Sequence, residues 1–355
     1  MSIGLYIHVP FCASKCAYCD FYSRVRRDQL PDYLTALKRE ISGWKDKGVT
    51  ADSLFFGGGT PSLLTPEQIG ELITLCREIF ALEGEITMEA NPDTVTAESL
   101  KGYRGAGVNR LSFGVQSAID PELKLLGRKH TFADAERAVA AAREAGFDDL
   151  SLDLMLGIPE QTSESLQLTL DRITALKPEH LSCYLLKIEE GTVFFKRHME
   201  TLCADEDTTA DFYLAVCERL KKLGYRHYEI SNFALEGHES RHNLKYWRCE
   251  DYLGFGPAAH SCFGGRRFYH PADLASYISG SGLVDDGPSG SAEEKLMLAL
   301  RLEEGAAPLP DYDWAAFRKR CAPYLKAGLM AEKGDRLAFT EEGFLLSNTL
   351  LAEIL

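Results

Sequence analysis

From the N-terminus to about residue 190, short apolar runs of strand length alternate with longer stretches of helical spacing. No other feature restricts the possible folds as much. Strand-like runs fall at 5–9, 53–56, 85–89, 110–115, 150–154 and 181–186, with amphipathic stretches at 31–42, 66–80, 97–106, 132–145 and 163–176 between them. Gly107 and Gly146 stand where helix C-caps are expected. Strands separated by crossover-sized helices pair in parallel. The alternation therefore predicts an α/β fold built on a partial (β/α)6 barrel, with ligands at the C-terminal ends of its strands as in complete barrels.

Beyond residue 205 the pattern changes. A helix is expected over 208–223 and a strand over 225–234, followed by a Gly-, His- and aromatic-rich region and a linker-like composition over 282–294. The last segment reads as helix, loop, helix, a hairpin turning near Gly334 and a final helix. The expected organisation is a barrel with its N-terminal loop over 1–200, a smaller α+β extension over 201–290 and a winged-helix-like module over 291–355.

The loop after the first strand contains CASKCAYCDF, which places Cys12, Cys16 and Cys19 in a C-x3-C-x2-C spacing. Zinc sites combine two hooks and four ligands, whereas here one loop supplies three thiols and no second hook follows. Three thiolates on a cubane [4Fe–4S] cluster leave one iron without a protein ligand, open to a small molecule. The competing reading is three unrelated core thiols. The other seven of the ten cysteines are scattered. With no basic leader and no apolar run of membrane length, they read as reduced thiols of a cytoplasmic protein. A formal net charge of −14 argues against a nucleic-acid partner.

Further groups fall near the expected strand ends. FFGGGTPS follows the second run with Gly58, Gly59 and Thr60, where missing Cβ atoms allow close backbone approach. Glu89, Gln116, Arg128 and Asp153 follow later runs, and Tyr6 lies on the first. Singly, each reads as a satisfied polar group or a cap. Together they form a ring suited to a ribose, an amine and a carboxylate.

In this order, these strings resemble the radical S-adenosylmethionine (SAM) family, in the branch shared by oxygen-independent coproporphyrinogen III dehydrogenases (HemN) and heme chaperones (HemW). The resemblance runs from LYIHVPFC nearly to the C-terminus. It implies a [4Fe–4S] cluster on Cys12, Cys16 and Cys19, with SAM on the open iron. Tyr6, Gly58, Glu89, Gln116, Arg128 and Asp153 match SAM contacts, and Gly59 and Thr60 match contacts of the second SAM that dehydrogenases use. In the family, electron transfer to SAM yields a 5′-deoxyadenosyl radical, which implies a flavodoxin-like electron donor.

Two features separate the branches. Dehydrogenases carry a fourth cysteine where this chain has Phe21. The segment RHNLKYW contains HNxxYW, the heme-binding motif of the chaperones, with His242, Asn243, Tyr246 and Trp247 at its positions. Imidazole can ligate heme iron, and the aromatic faces suit a porphyrin. His260 is a second ligand candidate. The expected function is a heme chaperone that passes heme to an apo-hemoprotein acceptor, a respiratory enzyme at the membrane among the candidates, with no catalytic residue assigned. The alternative is coproporphyrinogen III dehydrogenase activity in porphyrin biosynthesis. A winged-helix DNA reader fits poorly, because 291–355 carries eight basic and eleven acidic residues.

Overall fold

The protein is described here by a computed structural model covering residues 2–310 and 312–355. The strand-like runs form β1 (Ile3–Val9), β2 (Ala51–Gly58), β3 (Glu85–Ala90), β4 (Arg110–Gln116), β5 (Leu150–Leu156) and β6 (His180–Leu185), each parallel to the next. Between them lie α1 (Leu30–Ser42), α2 (Pro66–Phe80), α3 (Ala97–Ala106), α4 (Asp120–Leu126), α5 (Phe132–Glu144) and α6 (Ser163–Ala175). Five of these helices occupy the expected stretches. The seven-residue α4 is too short to leave a helical period in the sequence. Helices α2, α3, α5 and α6 begin at Thr65, Thr96, Thr131 and Thr162. At each, the threonine and the side chain three residues on satisfy one another's backbone N–H groups.

The strand residues alternate between two environments. Leu5, Ile7, Leu111, Phe113, Val115, Leu150 and Leu152 are fully buried in the apolar layer. Their neighbours Arg110, Ser112, Gln116, Ser151, Asp153, His180 and Ser182 border internal cavities. A packed eight-stranded barrel fills its interior with branched apolar side chains. This interior mixes polar strand side chains with apolar ones and holds space instead.

Residues beyond 200 extend the same sheet. After α7 (Val193–Lys196) and α8 (Glu206–Lys222), the run expected as one strand folds into the hairpin β7 (Arg226–Glu229) and β8 (Asn232–Ala234), and β8 pairs antiparallel with β6. Helix α9 (Arg241–Trp247) leads to β9 (Tyr252–Phe255), which pairs parallel with β1, and then to β10 (His260–Phe263) and β11 (Arg266–Tyr269). Beyond α10 (Leu274–Ser279), β12 (Val284–Pro288) pairs with β11 inside the stretch expected as a linker. Its composition, VDDGP, suits an outer strand, which has only one neighbour to satisfy and tolerates proline. The twelve strands run β12-β11-β10-β9-β1-β2-β3-β4-β5-β6-β8-β7. The expected boundary at residue 200 is therefore not a boundary of the sheet.

The C-terminal segment contains α11 (Ala292–Ala299), α12 (Trp314–Lys326), the hairpin β13 (Met330–Lys333) and β14 (Arg336–Phe339), α13 (Glu341–Leu345) and α14 (Ser347–Ile354). The hairpin turns at Gly334 as expected. The segment packs sideways on the β7–β8 hairpin. The Phe344 ring lies 5.3 Å from that of His227, and Glu303 pairs with both Arg226 and Lys333. No described residue from it lines either of the two cavities bordered by the β4–β6 side chains.

Candidate functional site

The loop after β1 carries the cysteines to the C-terminal ends of the strands. Its start is zipped to the end of β2, with the Gly59 N–H donating to the Val9 carbonyl and the Thr60 N–H to that of Phe11, each at 2.8 Å. The zip explains the glycines. A Cβ at Gly59 would lie 2.6 Å from the Phe11 carbonyl oxygen, and one at Gly58, where φ is +106°, would lie 2.6 Å from the His8 ring.

Cys12, Cys16 and Cys19 all open into a cavity of about 130 Å³ whose wall also includes Gly58, Gly59, Thr60, Glu89, Gln116, Arg128 and Asp153. The Thr60 hydroxyl and Arg128 Nη1 each approach a sulfur at 3.5 Å, those of Cys12 and Cys16 respectively. Burial opposes the charge on Arg128, but Tyr18 and Cys16 outweigh it and hold the pKa above the ordinary arginine value. Arg128 Nη2 donates at 2.6 Å to Asn91 Oδ1 and to the Gly114 carbonyl, while its Nε is buried without a partner among the described residues.

Two carboxyls share this wall. Burial, then the charge of Asp153, pushes Glu89 up to about 8, although the Gly58 N–H donates to it at 3.1 Å. Burial lifts Asp153 to about 6 against a hydrogen bond from the Ser112 hydroxyl at 3.0 Å. Near neutral pH the pair can therefore both donate and accept. Gln116 has φ +71°, and its Oε1 accepts from the Tyr184 hydroxyl at 2.6 Å. Such backbone geometry costs about 1–3 kcal/mol and clusters at functional sites. Phe21 is 70% exposed and borders the opening.

A larger cavity of about 530 Å³ shares Glu89, Ser112 and Asp153 with the first and runs down the barrel. Tyr18, Phe21, Phe55, Met155, Tyr184, Leu185 and Leu186 form much of its wall, and Arg110, Ser151, His180, Ser182, Asn232 and Asn243 line its polar part.

Helix α9 sits at the opposite, N-terminal end of the strands. Glu85, at the start of β3, accepts the N–H groups of Arg241 at 3.0 Å and His242 at 3.2 Å. Lys245 pairs with Asp52 at 3.0 Å and Glu250 at 3.2 Å. His242 is 1% exposed. Its Nδ1 bonds the Ser53 hydroxyl at 3.0 Å, its Nε2 the Tyr246 hydroxyl at 2.7 Å, and its ring stacks on Phe55. Burial, then Lys245, pushes its pKa down to about 3, so the ring is neutral with both nitrogens engaged. Trp247 lies under Arg301, whose guanidinium carbon is 5.9 Å from its ring centre.

The structure thus brings the three cysteines, Gly58, Gly59, Thr60, Glu89, Gln116, Arg128 and Asp153 together. It does not bring Tyr6, His242, Tyr246 or Trp247 to either cavity wall, and of the HNxxYW residues only Asn243 lines one. The Tyr6 hydroxyl lies 3.1 Å from His8 Nδ1. His260 is exposed on β10, stacked on Tyr269. Asn91, Ser112, Tyr184 and Arg110 were not singled out from sequence. Three of the four sit on the polar side of strands with strict alternation, which is a legible signal.

Three thiols from one loop fit a cubane cluster with an open iron. The ring around them, with its unpartnered Arg128 Nε, fits an amino acid bearing a ribose. The His242 nitrogens as arranged do not fit an iron ligand.

The family model of the radical SAM superfamily matches residues 6–173. The heme chaperone HemW of Synechocystis is 34% identical, with 100% of this chain and 96% of that protein covered. The Escherichia coli HemW is 35% identical over 98% of this chain and 97% of its own length, and the Bacillus subtilis HemW is 40% identical over 77% and 74%. Among solved structures, coproporphyrinogen III oxidase (HemN) from Escherichia coli, described as a radical SAM enzyme, has a TM-score of 0.85 and 26% identity, covering 99% of this chain and 90% of that one.

Proposed function

The chain belongs to the HemW family of radical SAM proteins, and from that premise we propose that it is a heme chaperone, which takes up heme and hands it to an apo-hemoprotein. The observation that carries the reading is a largely apolar cavity of about 530 Å³ that joins the cysteine cradle at one end and meets Asn243 of HNxxYW at the other. Its size and mixed wall suit a flat apolar ligand with polar ends.

Cys12, Cys16 and Cys19 are the proposed cluster ligands. A cluster with SAM bound supplies one-electron chemistry. The protein's part is to position and to exclude water. The Gly58–Thr60 edge brings backbone groups to the ligand, Glu89 and Asp153 offer acceptors to an amine and a ribose, and Arg128 offers a donor to a carboxylate. Gln116 is held by Tyr184, and we keep Tyr6 as an indirect contributor through His8.

For heme, the α9 residues His242, Asn243, Tyr246 and Trp247 form the proposed binding element. Ligation of iron by His242 requires Nε2 to release the Tyr246 hydroxyl, a hydrogen bond worth about 0.5–1.5 kcal/mol net, and Phe55 to move aside. Contact through Asn243 requires neither. No described helix is long and apolar enough to cross a membrane. We place the protein in the cytoplasm, with an apo-hemoprotein acceptor at the membrane surface and a flavodoxin-like electron donor as its proposed partners. We also keep the three-part division at 200 and 290 as a proposal about folding units.

The dehydrogenase reading has the HemN-like fold in its favour, but Phe21 occupies the position of the fourth dehydrogenase cysteine. The test uses anaerobically reconstituted protein of measured iron and sulfide content, titrated with hemin and incubated with coproporphyrinogen III, SAM and reductant. We expect saturable heme binding with a shifted Soret band, transfer to an apo-hemoprotein, and no vinyl product. Vinyl formation without heme transfer would replace this function with the alternative.

A further inference from the structure

Arg110 is a buried strand cation that the proposed cluster and SAM site does not use. It is the first residue of β4, it is 2% exposed, and it borders the larger cavity. Its Nε and Nη2 are buried with no hydrogen-bond partner among the described residues. The nearest carboxylate oxygen, Asp149 Oδ1, lies 3.4 Å from Nε, and that oxygen is itself without a hydrogen bond and lies 3.5 Å from His238 Nδ1. Asp149 thus balances the charge without satisfying the guanidinium. A buried charge lacking hydrogen bonds is expensive, and a planar fork of donors matches a carboxylate in particular.

The surroundings narrow the ligand. Burial, then the charge of Arg110, disfavours a second cation at His180, whose nitrogens bond the Ser151 and Tyr228 hydroxyls, both at 2.8 Å. Asn243 borders the same cavity. On the cysteine side of this cavity Asp153 and Asp20 border the wall and repel an anion, Lys187 is paired with Glu189 at 2.6 Å, and Arg128 faces the smaller cavity instead. An acidic group on an otherwise apolar ligand is therefore directed away from the cradle.

We propose that Arg110, with Asn243 beside the cavity, is a carboxylate-binding site that receives one propionate of the bound porphyrin. This rests on the reading of the cavity as the heme site. It assigns an orientation to the ligand, with an acid edge toward the N-terminal ends of the strands and the apolar body between Phe55 and Met155.

The experiment titrates the full-length protein with hemin, hemin dimethyl ester and iron-free protoporphyrin IX, in the unmodified chain and in Arg110→Gln and Arg110→Lys. The unmodified chain should bind hemin and protoporphyrin at least about tenfold more tightly than the diester, the range of one charge-assisted hydrogen bond. Arg110→Gln should lose that preference while binding the diester as before, and Arg110→Lys should keep part of it. Equal affinity of the unmodified chain for hemin and diester overturns this inference and leaves heme binding standing. Failure to bind any of the three overturns both. If Arg110→Gln does not fold, the diester comparison in the unmodified chain still decides.

Discussion

The two ends of the barrel are built from similar residue types and reach opposite states. At the cysteine end, polar groups converge without saturating one another. Three thiols share a small cavity, Arg128 Nε has no partner among the described residues, and Gln116 holds a left-handed backbone. At the α9 end, the His242 nitrogens, the Glu85 oxygens and Lys245 are all engaged. Unsatisfied, strained groups are what a ligand completes. Satisfied groups hold the fold together. A recognisable motif does not by itself say which of the two it encodes.

The largest expected effect lies at the cysteine end. Cys16→Ala with Cys19→Ala should abolish the cluster, measured by iron and sulfide analysis and Mössbauer spectroscopy, while the metal-free protein unfolds near its usual denaturant midpoint. A full cluster in that variant would falsify the ligand assignment and erase the contrast.

At the α9 end the order should reverse, with stability responding first. Glu85→Ala leaves two N–H groups of α9 without their acceptor, and the expected loss is about 1–3 kcal/mol in urea unfolding. His242→Leu removes bonds to Ser53 and Tyr246 and should cost a similar amount. If stability is unchanged in both, the network is not structural, and His242 regains its standing as a free ligand.

The ends also differ in their response to pH. Glu89 ionises near 4.5 in an unfolded chain and near 8 when folded. Between these values the native state holds the extra proton, so stability falls as pH rises from about 4.5 to about 8. Glu89→Gln should flatten that decline in cluster-free protein, with its stabilising effect greatest near pH 8 and fading toward pH 4.5. An unaltered pH–stability curve would mean that Glu89 is not buried with Asp153.

The smallest effect belongs to the rim. Phe21→Cys changes a side chain that is 70% exposed, so stability should move by no more than about 0.5 kcal/mol. The variant should still yield no vinyl product from coproporphyrinogen. Substantial dehydrogenase activity would show that this one position separates the two chemistries.

Much of this molecule was legible in one dimension. The period-2 runs of β1–β6 and the threonine capping boxes of α2, α3, α5 and α6 are local patterns, since alternation and N-capping depend on residues a few positions apart. The C-x3-C-x2-C loop and the glycine edge were legible for the same reason. Tertiary structure alone decided what long-range pairing controls. It laid VDDGP along β11 rather than leaving it a linker, inserted β9 beside β1, and set the C-terminal segment against the β7–β8 hairpin. It also turned His242 toward Ser53 and Tyr246 while leaving Arg110 Nε and Nη2 without a hydrogen-bond partner among the described residues. Whether a buried polar group is satisfied depends on which distant strand end meets it, and no spacing along the chain records that.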